Sequence, residues 1–401
     1  MRSFIIAIVI AAVLLPGAVL AADWPQFRGP SYDGVSPEKG ISKVWNQKPP
    51  KMVWTVPMTD DGYAGPCVAG GKVFIIDHKD KQDIVKAVDF KTGKEMWRYP
   101  YADAEDANYG FSRATPAVSG GRVYALGRMG LLNCLNAKTG KLIWSRNIFT
   151  EFKGKKPQWN YSMSPFIDGN KVIVVPGGRN AAVVALDKTT GKTIWQGGGS
   201  DIPGYVTPIA ATIEGKRQYV VFMGVSLIGV DPATGALLWR LPRKAFADIN
   251  GAQPYVIGNT IFISTGYGEG GDAMVEIQNG AAKIKWESKE LRSRFSSPVY
   301  LGGFIYCVGE PGNLTCIDPN DGAVKWKQKG FEFGGLVAVD GVIMVADGRG
   351  GDLAMVKPSP DSYQEIGRFK PLGGQSWTAP IVSGGKLIVR NKSALACFDL
   401  K

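Results

Sequence analysis

One eleven-residue phrase, Ala-x-Asp-x-x-Thr-Gly-x-x-x-Trp, recurs along this chain and fixes most of what it can fold into. It reads Ala87-Val-Asp89-Phe-Lys-Thr92-Gly93-Lys-Glu-Met-Trp97, then Cys134-Leu-Asn136-Ala-Lys-Thr139-Gly140-Lys-Leu-Ile-Trp144. It returns as Ala185-Leu-Asp187-Lys-Thr-Thr190-Gly191-Lys-Thr-Ile-Trp195 and Gly229-Val-Asp231-Pro-Ala-Thr234-Gly235-Ala-Leu-Leu-Trp239. Weaker copies end at Trp286 and Trp326, and a decayed one ends near Phe369. From Trp54 to Trp326 the steps between these tryptophans are 43, 47, 51, 44, 47 and 40 residues. A fixed period of this size is the mark of a repeat architecture.

Upstream of each phrase stands a Pro, a short apolar run, a Gly turn and a second apolar run, as in Pro116-Ala-Val-Ser-Gly120-Gly121-Arg-Val-Tyr-Ala-Leu and Pro380-Ile-Val-Ser-Gly384-Gly385-Lys-Leu-Ile-Val. Short apolar runs bounded by Gly turns are hairpin strands. Each unit therefore holds four strands, A to D, with Asp and Thr-Gly in the C-to-D turn, where an Asp side chain bonds nearby backbone and Gly supplies positive φ. Trp54, Trp97, Trp144, Trp195, Trp239, Trp286 and Trp326 fall on strand D, each placed to stack between neighbouring sheets.

Tandem four-stranded units of this length predict a β-propeller. Strand A openings fall at Pro66, Pro116, Pro165, Pro208, Pro254, Pro298, near Leu336 and at Pro380, which makes eight blades. The last unit stops at Phe398-Asp399-Leu400-Lys401 without its strand D, whereas Lys51-Met-Val-Trp54 is a strand D with nothing before it. The two halves are expected to make one blade, leaving no open edge in the ring. The predicted fold is all-β: an eight-bladed propeller of four-stranded antiparallel blades, its last blade closed by the N-terminal strand. The expected organisation is a leader over 1–21, an N-terminal extension over 22–50 and a single propeller domain over 51–401.

Composition agrees. The 52 Gly and 25 Pro form roughly 19% of 401 residues, against about 12% on average, which excludes a helix bundle. Hydrophobic residues at 45%, with 11 Trp and 17 Phe, exclude a disordered chain. Met1-Arg2, the apolar run Phe4 to Leu15, Pro16-Gly17 and Ala18 to Ala22 form a secretion leader cleaved after Ala21. The expected location is therefore periplasmic or extracellular. No cysteine near that site offers a lipid attachment, and no other segment is apolar enough to span a membrane. The formal charge is +12, but the basic residues are scattered, so nucleic acid is not an expected partner.

The repeated phrase resembles the tryptophan-docking motif of the pyrroloquinoline-quinone (PQQ) type propellers, a family that includes quinoprotein alcohol dehydrogenases and a non-enzymatic periplasmic scaffold for outer-membrane protein assembly. The opening Asp23-Trp24-Pro25-Gln26-Phe27-Arg28-Gly29-Pro30 also resembles that of secreted PQQ-like repeat proteins. The resemblance covers nearly all of the mature chain and implies either a scaffold or a quinoprotein holding PQQ and Ca2+. The dehydrogenases carry two adjacent bridged cysteines, which this sequence lacks, and it has no Cys-x-x-Cys-His for haem.

Catalytic groups are scarce. His78 is the one histidine, read as a solvated residue of the turn Asp77-His78-Lys79-Asp80-Lys81, so zinc sites and histidine-assisted nucleophiles lack partners. No metal site is expected; the acidic loop Asp103, Glu105, Asp106 is read as a solvated turn. Gly266-Tyr-Gly268-Glu-Gly270-Gly271 is read as a strand B-to-C turn. Cys134, Cys316 and Cys397 occupy the first position of the phrase and are read as small core residues. If Pro311-Gly312 is a two-residue turn, Cys307 stands opposite Cys316, either as a small core pair or as a disulfide.

Propellers bind at the mouth of the central channel. Three residues before the strand A Pro, or its equivalent, stand Tyr63, Tyr205, Phe295, Phe333 and Trp377, with Arg113, Ser162 and Gly251 in the other blades. The aromatics can ring a ligand or pack blade to blade, with Arg113, Asn160, Tyr161, Asn250, Arg294 and Gln375 supplying polar contacts. The expected function is a non-catalytic, monomeric binding or assembly scaffold for protein or envelope-polymer partners, with no cofactor. The alternative is a PQQ-dependent alcohol or sugar dehydrogenase. Polysaccharide cleavage by paired carboxylates has only the channel shape behind it.

Overall fold

The computed structural model describes residues 22–103 and 109–401. The leader and the Glu105 and Asp106 positions lie outside the described residues. Among those described, eight sheets follow one another around a ring, each with four antiparallel strands from A at the channel to D at the rim; seven are built in chain order, and the eighth takes its strand D from the N-terminal side. Blade 1, for instance, comprises Cys67–Ala69, Lys72–Lys79, Gln82–Asp89 and Glu95–Ala102. Seven of the eight strands A begin directly after a Pro, as Ile209 does after Pro208 and Ile381 after Pro380, the exception being Leu336 after Gly335. Proline suits that position, because the first residue of an edge strand has no ladder hydrogen bond to lose. No described helix is long and apolar enough to cross a membrane.

Blade 8 is made from both ends of the sequence. Lys51–Pro57 lies antiparallel to Ala394–Asp399, with Trp54 opposite Cys397. The indole N–H of Trp54 then donates to Phe90 O of blade 1 at 2.9 Å. The same reach into the following blade is made by Trp97 to Ala137 O at 3.2 Å, Trp144 to Lys188 O at 3.3 Å and Trp195 to Pro232 O at 3.1 Å. Trp286 reaches Pro319 O at 2.9 Å and Trp326 reaches Ser359 O at 2.8 Å. Trp239 differs, donating to Gln218 Oε1 within its own blade at 2.5 Å. At the decayed seventh blade, Trp45 of the extension is buried against Phe369, ring centroids 5.0 Å apart.

The extension does more than lead into the ring. Trp24 exchanges backbone hydrogen bonds with Val68, Pro25 O accepts from Val118 N, and Tyr32 Oη accepts from Ile167 N. Arg28 donates to Pro298 O, Val35–Ser36 pairs in parallel with Leu336–Val339, and Ser36 Oγ donates to Val382 O. Segment 24–36 thus bonds the innermost strands of six blades, or the residue just before them, and forms a floor across the channel. Gly29, at φ +80°, lies against the Trp24 ring. Burial pushes the Arg28 guanidinium down to about 10, and it donates to the carbonyls of Tyr32, Asp33 and Pro298.

The strand pair around residues 310–312 corrects the expected cysteine register. Gly309 pairs with Asn313, so the turn holds three residues, and Tyr306 stands opposite Cys316 while Cys307 faces Thr315. A slip of one residue moves a side chain to the other face of a sheet. Cys307 and Cys316 therefore point to opposite faces, and both are free thiols. Blade 2 has the same register, with Tyr124 opposite Cys134 and Ala125 opposite Asn133. Cys134, Cys316 and Cys397 are fully buried core residues.

Candidate functional site

Antiparallel strands put every D-to-A and B-to-C loop on one face of the ring. There the loops enclose a cup of about 490 Å³, a size typical of small-molecule sites. All eight residues that stand three positions before the strand A Pro, or before Leu336 in blade 7, line it: Tyr63, Arg113, Ser162, Tyr205, Gly251, Phe295, Phe333 and Trp377. Beneath them a smaller space of about 110 Å³ is floored by Trp24, Phe27 and Arg28.

The aromatics pack against one another and also line the cup. Tyr63 and Trp377 stack at 4.6 Å, and Phe295 and Phe333 at 5.8 Å, so these pairs pack blade against blade while presenting edges and outer faces to the cup. Arg113 donates to Trp159 O, and to Gly110 O at 3.1 Å. Arg294 lies over the rings of Tyr267 and Phe333, both at 5.4 Å, and pairs with Glu310 at 2.5 Å.

Four of the expected polar contacts do not line the cup. Tyr161 is buried in the core of blades 2 to 4 and donates to Pro176 O at 2.9 Å. Asn250 is fully buried and holds Met223 O at 2.7 Å, which anchors the loop entering blade 5. Asn160 sits in a turn at φ 63°. Gln375 acts from behind, donating to Tyr63 Oη at 3.0 Å. In their place the structure brings in Tyr109, Trp159, Phe246, Ile249 and Tyr267. Trp159 had a signal in the sequence, since it falls outside the docking phrase; Tyr267 belongs to the Gly-rich turn between Thr260–Thr265 and Gly271–Gln278 of blade 5.

His78 is not solvated. Blade 1 has unusually long B and C strands, so His78 lies within strand B, 5% exposed, stacked on Phe111 at 3.6 Å. Its Nδ1 meets Asp83 Oδ1 at 3.0 Å, and Tyr101 Oη donates to Asp83 Oδ2 at 3.1 Å. Asp103 is likewise buried, gripped at both oxygens by Arg128 at 2.7 and 2.8 Å. Burial and the neighbouring Asp83 raise the Asp103 carboxyl despite that guanidinium. Ligand atoms of His78, Asp83 and Asp103 lie within 4.8 Å of one another, yet Arg128 already supplies the positive charge a cation would bring. Nearby, Asp60 accepts from Gly62, Phe111 and Ser112. The network underpins loop 109–113, which carries Tyr109 and Arg113 to the cup.

Eight blades around a floored channel, with an aromatic cup at one mouth, define an eight-bladed PQQ-type propeller. The chain belongs to the family described as outer membrane protein assembly factor BamB, whose model matches residues 80–328. It is 23% identical over 300 residues to the BamB of Yersinia pestis, spanning 70% of this chain and 72% of that one. Over 161 residues it is 32% identical to the dehydrogenase subunit of a quinone alcohol dehydrogenase from Komagataeibacter europaeus, spanning 36% of this chain and 21% of that one. The crystal structure of BamB from Moraxella catarrhalis superposes with a TM-score of 0.62 at 18% identity, covering 87% of this chain and 99% of the other. That likeness shows the fold.

The cup does not fit a calcium-held quinone. Such a site needs a carboxylate and an amide converging on the cation, and hard cations take oxygen ligands. Among the described residues lining the cup none is Asp, Glu, Asn or Gln, and its charged groups are the two guanidiniums of Arg113 and Arg294. The cysteines are dispersed and all buried, so no adjacent pair borders the cup.

Proposed function

We propose that this protein is a secreted, periplasmic propeller that works as a non-catalytic binding scaffold for envelope proteins or polymers, with the cup as its ligand seat. The observation that carries this reading is the charge of the cup: two guanidiniums among aromatic rings, and no described carboxylate to hold a cation or act as a base. Membership of the BamB family supports a scaffold. The partial match to a quinone alcohol dehydrogenase supports the rival reading, oxidation of an alcohol or sugar by bound PQQ. A dye-linked assay separates the two. The purified protein, incubated with PQQ and calcium, is expected to reduce no artificial electron acceptor with any of a panel of alcohols and sugars. Calcium-dependent turnover would overturn the proposal.

A further inference from the structure

The rings of the cup are set at angles to one another. Trp159 makes 45° with Tyr205 and 38° with Tyr267, and Phe333 makes 43° with Trp377. The near-parallel pairs, Tyr63 with Trp377 and Phe295 with Phe333, are closed against each other. These pairs leave no slot of parallel faces for a flat plate. Tilted apolar faces instead suit a puckered ring that offers C–H groups on several sides.

The polar lining is made of donors. Tyr63 Oη accepts from Gln375 and Tyr205 Oη accepts from Trp159 N at 3.1 Å, so each phenol keeps its own hydrogen for a ligand. Burial raises both phenols to about 12, so they stay neutral donors in ordinary buffers. Ser162 and Tyr267 add two more hydroxyls. Arg113 is held by carbonyls on one side and lines the cup on the other. A guanidinium in such a setting prefers a planar carboxylate, which it can meet with two parallel hydrogen bonds.

From tilted rings, phenolic donors and a guanidinium we infer that the cup binds an acidic sugar, a hexuronate unit of an anionic glycan. The ring faces pack on the pyranose C–H groups, the phenols and Ser162 meet its hydroxyls, and Arg113 meets its carboxylate. This rests on the reading of the cup as a ligand seat and names the class of ligand.

The test is a fluorescence titration of the purified protein with trigalacturonate, with cellotriose as a neutral trisaccharide, and with PQQ plus calcium. Trp159 and Trp377 report from inside the cup. Saturable one-to-one binding of trigalacturonate, at least tenfold tighter than cellotriose and weakened by salt, is the expected result. Arg113→Met should remove the preference for the charged sugar. Tyr205→Phe and Tyr267→Phe, which keep the rings, should weaken binding several-fold while the thermal melt stays within a few degrees. Failure to bind trigalacturonate, or equal affinity for both trisaccharides, overturns the inference. Calcium-dependent binding of PQQ overturns the scaffold reading independently.

Discussion

Trp377 lies flat on Tyr63, with ring centroids 4.6 Å apart and planes 13° from parallel. This contact joins the loop entering blade 8 to the loop entering blade 1, at the seam where the two ends of the sequence meet. Trp377 also touches Phe295 and Phe333, at 5.3 and 5.0 Å. Fully buried Trp→Ala changes cost ~3–5 kcal/mol, and Trp377 is half-buried. Trp377→Ala should therefore lower unfolding free energy by about 2 kcal/mol, read from urea denaturation. A loss under about 0.5 kcal/mol, the level of ordinary surface changes, would contradict the seam.

The channel floor makes a separate prediction. A Cβ on Gly29 would stand 2.8 Å from the Trp24 ring, at a backbone φ of +80°. Both the clash and the left-handed backbone disfavour Gly29→Val, by about 2–3 kcal/mol together. A clear fall in melting temperature is expected, because segment 24–36 ties six blades together. An unchanged melt would mean that the floor contributes nothing to the ring.

Asp77 and Lys86 form a buried pair in blade 1, with Asp77 also accepting from Thr59 N at 3.0 Å and Asp60 N at 2.9 Å. Burial alone would raise the Asp77 carboxyl, but the Lys86 ammonium and Thr59 outweigh it and hold it below the usual range. A depressed carboxylate contributes stability that is present above its unfolded value, about 3.9, and is lost as pH falls through the folded one. Lys86→Met removes the lowering partner, so burial then raises Asp77, and the penalty is relieved as pH falls. The variant should lose about 3 kcal/mol at pH 7, and the gap to wild type should close toward pH 3. Melts across that range check the sign; a gap that widens in acid would contradict it.

All five cysteines are buried and unbridged. Burial raises the Cys307 thiol to about 12 and the Cys316 thiol to about 11, so neither supplies appreciable thiolate at neutral pH. Alkylation without reductant should modify none of them in the native protein and all five in denaturant, counted by mass. A shortfall of two in denaturant would show the disulfide that the sheet register excludes.

What the sequence made legible follows its periodicity. The docking tryptophans repeat, and the Pro before strand A marks a position from which counting back three residues reaches the mouth of the channel. That is why all eight positions from Tyr63 to Trp377 could be named. Trp159 and Tyr267 lie in loops whose lengths differ from blade to blade, so no period aligns them. His78 is buried because its strand runs on past the expected turn, and Cys307 faces away from Cys316 because one extra turn residue reverses the face of a side chain; neither departure shows in the period. The channel floor belongs to no repeat, and only the bonds of Trp24, Arg28 and Ser36 reveal it.

One thermal melt, run with trigalacturonate and with PQQ plus calcium, distinguishes a sugar-binding cup from a quinone site. A saturable rise in melting temperature is expected with trigalacturonate, lost in Arg113→Met, and no calcium-dependent shift with PQQ. A calcium-dependent rise with PQQ and none with the sugar would contradict the sugar-binding cup.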